Sequence, residues 1–184
     1  MTTWAEDFYE IPEAVTANEE LQNNILDLVN EQPIHGKVTQ GGNRTESLRE
    51  ILREYFRGET NLEQAFQEVS SELPRHESPH ASNNQVFAKG WAERLVRTQA
   101  SRFYNQAVLL LLQERGDQTC FIPHSSEEDV SSDCTQMLAG NEVEIELLLN
   151  RLRRAHVDGE WHEEVMIPDH PHCTHTVVST SESM

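Results

Sequence analysis

All three cysteines of the chain, Cys120, Cys134 and Cys173, lie in its C-terminal part together with six of its nine histidines, three of them in the run His170-Pro171-His172-Cys173-Thr174-His175. Thiolate and imidazole are the donors zinc prefers, in a tetrahedron of four. The candidate set is Cys120, His124, Cys173 and His175, which would tie a strand around residue 120 to a C-terminal hairpin and give a small β element a reason to be stable. His170 and His172 compete for places in that set. Cys134 falls four residues after Val130, a helical spacing at which cysteine is a small buried hydrophobe, so it is expected to pack. No Cys-x-x-Cys pair is present, and the expected role is a structural clasp with zinc as cofactor.

A hydrolytic reading would pair Cys120 or Cys173 with a neighbouring histidine, with Asp169 orienting the imidazole. The sequence contains no Gly-x-Ser-x-Gly, His-Glu-x-x-His, Walker or dinucleotide-binding motif. No lysine follows Lys89, which removes lysine-dependent nuclease cores. The pattern points away from an enzyme.

The elements that must position these residues follow from apolar spacing and caps. The first twelve residues, with Trp4, Phe8, Tyr9 and Ile11 among acids, read as an arm that docks by its aromatics. Thr16 with Glu19 opens a helix to about residue 31. Asn43 with Glu46 opens a second that stops at Gly58, and Thr60 with Glu63 a third that stops at Pro74. Residues 74–83 read as a polar linker. A long central helix is expected over 82–114, with Gly90 inside it as a bend.

After Gly116 the texture changes. Thr119-Cys120-Phe121-Ile122 reads as a strand, Ser125 or Ser126 as the cap of a helix with Val130, Cys134, Met137 and Leu138 inward, and Asn141 as the start of another. Strands are expected over 160–167, with Trp161, Val165 and Ile167 on one face, and over 173–179, with Cys173, His175 and Val177 aligned. Ile122-Pro123-His124 and Ile167-Pro168-Asp169-His170 each place a histidine beyond a strand that ends at proline. Parallel neighbouring strands would bring His124 and His170 side by side.

The expected fold is therefore mainly α (α+β), a bundle of five to six helices with a small C-terminal two- or three-stranded β element. Residues 1–116 form a helical part, 117–179 an α+β part packed on it as one cooperative unit, and 180–184 a disordered tail.

The formal net charge is -18, and the only lysines are Lys37 and Lys89. Residues 1–32 carry eight acids and no Lys or Arg, and so do residues 117–150, whereas 33–58 and 84–116 are richer in arginine than in acid. The arginine-bearing segments are expected to pair with the acidic ones. Such composition suits an intracellular protein of a salt-adapted organism and opposes nucleic acid at long range. Interleaved arginines break any phosphate-like stripe of carboxylates.

The sequence starts without a basic, apolar leader, its longest apolar run, Ala107–Leu112, is too short to span a bilayer, and an odd cysteine count fits a reducing compartment. The expectation is an acidic cytoplasmic accessory or regulatory subunit that acts through contacts with other proteins or a second copy of itself. Two alternatives stand beside it. One is a helical subunit that touches phosphate with Arg94, Arg97 and Arg102 only inside a larger complex; the other is a zinc-stabilised protein with a hydrolytic role.

Overall fold

Seven α-helices and a three-stranded antiparallel sheet make up residues 3–182, the part of the chain that the computed structural model describes. A 3₁₀ turn, Phe8–Glu10, leads into α1 (Ile11–Thr16), followed by α2 (Glu19–Glu31), α3 (Arg44–Phe56), α4 (Leu62–Glu72), and α5 (Trp91–Glu114). Then come β1 (Thr119–Ile122), α6 (Asp133–Met137), β2 (Asn141–Glu144), α7 (Ile145–His156), β3 (Val178–Ser179) and a 3₁₀ turn at Thr180–Glu182. The architecture is mainly α with a small C-terminal sheet, as expected.

Local chemistry sets the helix ends. Asn18 accepts from Leu21 N at 3.1 Å and starts α2, so the cap is Asn18 rather than Thr16. Asn61 and Gln64 form a reciprocal capping box on α4, one residue beyond the expected pair. At the end of α3, Glu59 N reaches Glu54 O and Gly58 N reaches Tyr55 O, a Schellman closure that requires the positive φ of Gly58, 77°. The α3–α4 hairpin then follows.

The central helix is shorter than expected. Asn83 Oδ1 accepts from the backbone N–H groups of Gln85 and Val86, which draws that segment into turns, and Gly90 at φ 83° precedes the first helical residue instead of bending the helix. From Val96 to Leu112, α5 is buried nearly all round. Its apolar residues join one continuous core that runs from Trp4 to Val178. Each large side chain there contributes about 1.5–3 kcal/mol of burial.

The polar residues of α5 reach out to the chain ends. Tyr104 Oη accepts from Ala5 N at 2.9 Å, and Asn105 Oδ1 accepts from Val177 N at 3.0 Å while its amide donates to Ser101 O. The N-terminal arm docks as expected by Trp4, Phe8 and Ile11, although Tyr9 stays half exposed. It also bonds the C-terminal segment, through Phe8 N to Thr174 O and Thr176 Oγ1 to Ala5 O.

Several C-terminal expectations are corrected. Val130 is 76% and Met137 61% exposed, and only Asp133–Met137 is helical between β1 and β2. Asn141–Glu144 starts no helix; it is an edge strand paired antiparallel with β1, after a turn in which Gly140 N bonds Ile122 O. Residues 160–167 form no strand, and Trp161 is 81% exposed. Of 173–179 only Val178–Ser179 pairs with β1, because Phe8, Asn105 and Ala5 take the backbone and side-chain groups upstream. Thr180–Glu182 is ordered in a turn with Thr180 Oγ1 on Thr119 O, and residues 183–184 of the expected tail lie outside the described residues.

The arginines also behave otherwise than expected. Of the bridges among the described residues, Arg115–Glu20 at 3.8 Å joins an arginine-bearing segment to an acidic one, whereas Arg49, Arg53 and Arg97 pair within their own helices. Arg102 is fully buried without a carboxylate, donating to Gln99 Oε1 and Gln32 Oε1 at 3.0 Å each and lying 4.2 Å from the centre of the Phe103 ring. His156 sits nearby, where burial and then the charges of Arg102, His162 and His35 push its pKa down to about 3.

Two outcomes follow. Asn105→Leu strands the N–H of Val177 and lowers stability by about 1–3 kcal/mol in urea unfolding, with faster amide exchange at 173–177 than elsewhere. His156 is neutral in the fold at pH values where the unfolded chain binds its proton, so stability falls as pH drops through 6.5 toward about 3. His156→Phe flattens that limb in pH-dependent denaturation and changes nothing in its slope above pH 7.

Candidate metal centre

Two irregular stretches meet beside the sheet. In the first, Ser131 and Ser132 fold back on Asp129, Ser132 N bonding Asp129 O at 3.0 Å and Ser132 Oγ bonding it at 2.8 Å. This turn opens α6 and points Cys134, in the first turn, inward. In the second, Cys173 N bonds His170 O at 3.0 Å, which sets His170 and Cys173 on one tight turn. The chain beyond is extended, so Cys173 and His175 face the same side, as their spacing predicts.

The donors converge. Cys134 Sγ lies 3.9 Å from Cys173 Sγ and 3.6 Å from His170 Nε2, and Cys173 Sγ lies 3.7 Å from His175 Nδ1. Donor atoms of Cys134, Cys173 and His175 all fall within 4.8 Å of one another, and all three residues are buried. His170 is partly exposed and forms the outer wall.

A carboxylate orients the set. His175 Nε2 donates to Glu128 Oε2 at 2.8 Å, so Nδ1 is the nitrogen that faces the sulfurs. The other oxygen of Glu128 accepts from His124 Nδ1 at 2.7 Å, and Ser125 N also donates to this carboxylate. Burial opposes the charge of Glu128, but the bonds from His175, His124 and Ser125 outweigh it and hold its carboxyl below the ordinary range.

Of the two thiols, Cys134 is the one whose surroundings favour the charged form. Its thiol is depressed by the hydrogen bond from Cys173, against burial, with His170, His175 and Ser132 adding to it. Cys173 is raised well above the usual thiol range by that same thiolate and by burial. The Cys134 contact raises His170, and contacts with Cys134 and Glu128 raise His175 against its burial.

Set against the sequence, the structure brings together Cys173 and His175 and adds His170 and Cys134. Cys134 is buried in the core as expected, but its sulfur also meets Cys173 and His170, and Val130, 76% exposed, does not share its face. Cys120 lies in mid-strand on β1, its thiol on Val143 O at 3.6 Å and pushed up to about 12 by burial, apart from the cluster. His124 reaches the site only through Glu128. His172 is exposed, near the charges of Arg97, Glu93 and Arg94. Asp169 takes Met166 N and orients no imidazole; Glu128 does that, and its spacing of four from His124 was the signal for it.

The nucleic-acid trio does not form a surface. Arg102 is fully buried, Arg97 is 6% exposed over the Phe8 ring, and Arg94 is spent on the carbonyls of Lys89 and Ala88. Phosphate contact needs exposed guanidinium groups.

Comparison of the chain with protein-family models, with curated proteins and with solved structures finds no match. The geometry of the site alone carries the functional reading.

Glu128→Gln removes the charged acceptor shared by two imidazoles, at a cost of about 1–3 kcal/mol in denaturant unfolding at pH 7. Because the folded carboxyl titrates below its ordinary value of 4.5, its contribution is present above that pH and lost below it. The difference between wild type and variant therefore shrinks as pH falls below about 4.5.

Proposed function

We propose that this chain is a zinc protein in which Cys134, His170, Cys173 and His175 form a structural centre, clasping the segment before β2 to the irregular segment before β3. The inter-donor distances carry this reading. Zinc–sulfur bonds of about 2.3 Å and zinc–nitrogen bonds of about 2.0 Å, at a tetrahedral angle, imply sulfur–sulfur edges of about 3.8 Å and sulfur–nitrogen edges of about 3.5 Å. The sulfurs are 3.9 Å apart, and two of the four sulfur–nitrogen edges, Cys134–His170 and Cys173–His175, are 3.6 and 3.7 Å; mutual approach within 4.8 Å holds for Cys134, Cys173 and His175, with His170 joining through Cys134.

The surroundings support it. A carboxylate on the far nitrogen of a ligating histidine is the usual outer partner of zinc, and Glu128 holds that place on His175. Four protein donors leave no position for a water, which argues for a clasp and against a hydrolytic centre. Residues 157–177 run without helix or strand, a length that needs a tie of its own. Thiolate and imidazole donors favour zinc over calcium or magnesium.

The clasped segments carry Val130, Met137 and Trp161, three of the exposed large hydrophobic residues. The role that suits them is the one expected from composition: an accessory subunit acting through protein contacts, with zinc holding the contact segments in shape.

Protein purified without chelator is expected to carry close to one zinc per chain by elemental analysis. Cobalt exchange gives the visible absorption of a tetrahedral thiolate site. Cys134→Ser and Cys173→Ser lose the metal, Cys120→Ser keeps it, and chelation lowers Tm by about 10 °C or more. Metal far below one per chain, or equal retention by all three serine variants, would sink the reading.

A further inference from the structure

The same two sulfurs are placed for a second chemistry. Cys134 Sγ and Cys173 Sγ are 3.9 Å apart and unbonded. A disulfide bond is about 2.05 Å long, so closure needs a movement of about 2 Å shared between two residues. Neither is anchored in a long element: Cys134 belongs to a five-residue helix, and Cys173 to the irregular stretch that follows α7. Side-chain rotation and a small shift of either stretch suffice.

We propose that Cys134 and Cys173 form a reversible oxidation site, at which hydrogen peroxide converts the pair to a disulfide and the metal leaves. The release of metal rests on the zinc reading; the sulfur chemistry stands apart from it. The Cys134 sulfur attacks one peroxide oxygen, the O–O bond breaks, and the departing oxygen takes up a proton and leaves as water. Cys134 is then a sulfenic acid. The Cys173 sulfur attacks the Cys134 sulfur, the S–S bond forms, the S–O bond breaks, and a second water leaves. Two electrons pass from the sulfurs to the peroxide. Metal-bound thiolates consume two protons from solvent in the process, and free thiols supply their own.

The neighbours give the order of events. Cys134 is flanked by His170 Nε2 at 3.6 Å and Ser132 Oγ at 3.3 Å, which stabilise the attacking sulfur. His170 is the partly exposed member of the cluster, whereas Cys134 is 0%, Cys173 2% and His175 1% exposed. His170 Nε2 lies on Cys134 Sγ, so outward rotation of His170 uncovers Cys134, with Cys173 3.9 Å away as the resolving sulfur. Cys120 does not compete, since its thiol is held on Val143 O between paired strands. The product is thus a single disulfide. It removes both sulfur ligands and leaves two imidazoles that hold zinc far more weakly.

Hydrogen peroxide added to the zinc-loaded full chain tests this, with a chromogenic zinc chelator in solution and non-reducing peptide mapping by mass spectrometry. The expected result is zinc release at the same rate as formation of a Cys134–Cys173 link, one zinc per disulfide, both reversed by a dithiol and added zinc. Cys120→Ala leaves the rate of the reaction unchanged. Release without the link, with Cys134 driven to the sulfinic acid, overturns the proposal, as does a link to Cys120. If the chain carries no zinc, the zinc reading fails by itself. Peptide mapping of the peroxide-treated metal-free chain then decides the oxidation site: a Cys134–Cys173 link upholds it and the absence of one refutes it.

Discussion

A helix buried on nearly every side cannot be solvated, so each polar group on α5 must find a partner inside the protein or cost about 1–3 kcal/mol. Most of this fold can be derived from where those partners come from. Tyr104 fixes the N-terminal arm through Ala5, Asn105 fixes the C-terminal segment through Val177, and Arg102 fixes the end of α2 through Gln32. Arm and C-terminal segment then bond each other through Phe8 and Thr174, one residue from Cys173 and one from His175. The placement of the candidate ligands is a consequence of the central helix, although none of them lies on it.

Arg102 shows how the protein handles charge without pairing it. Its neighbourhood holds the ends of two helices: Gln32 is the C-cap of α2, and Val157 that of α7, whose carbonyl accepts from His35. The partial negative charge at each helix end suits a buried guanidinium where a carboxylate would bring its own desolvation cost. Other arginines follow the same rule. Arg44 donates to the carbonyls of Val38, Leu73 and Pro74, Arg49 to Gln32 O, and Arg151 to Val165 O. With only 14 basic side chains against 32 acids, every arginine has carboxylates to spare. Arg44 and Arg102 nevertheless serve as ties between segments without one, and Arg49 and Arg151 tie backbone besides bridging Glu46 and Glu164. Segregation of charge along the sequence therefore says little about which segments touch.

This explains what could be read in advance. Helices α2 to α5 and α7 announce themselves by apolar spacing, because one face or more is buried in a continuous core; the starts of α2 and α4 shift by only a residue or two, where an asparagine outcompetes a threonine as cap, whereas α7 begins only at Ile145 because Asn141–Glu144 pairs with β1. The start of α5 was misplaced because the side chain of Asn83 competes with the helix for two backbone N–H groups, which periodicity does not register. The C-terminal part was legible in its ligand types but not in its elements. Alternation over 173–179 was real, yet its backbone partners are a side chain on α5 and the arm rather than a strand. Spacing from Val130 gave Cys134 its burial but the wrong companion on its face, since a helix of five residues has too little length to show a period. The proline echo placed His124 and His170 near one centre for the wrong reason: residues 160–167 are no strand, and the two histidines meet through Glu128, His175 and Cys134.

The charge distribution also bears on what the proposed centre holds. Residues 117–150 supply Cys134 and Glu128 and contain no lysine or arginine, while Asp129, Asp133 and Asp169 add acid close by. In such a field two adjacent thiolates disfavour one another: Cys173 is raised and Cys134 lowered, with His170 and His175 beside the Cys134 sulfur. A guanidinium at this position could have settled the charge permanently, as cations do at thiolates elsewhere. Its absence leaves the charge of the sulfurs and the carboxylate to the two imidazoles. On the proposed zinc reading, a divalent, thiophilic ion would neutralise both thiolates at once, which a monovalent or a hard cation would not. The acidic composition, which at first describes only the surface, thus also sets the electrostatic condition of the site.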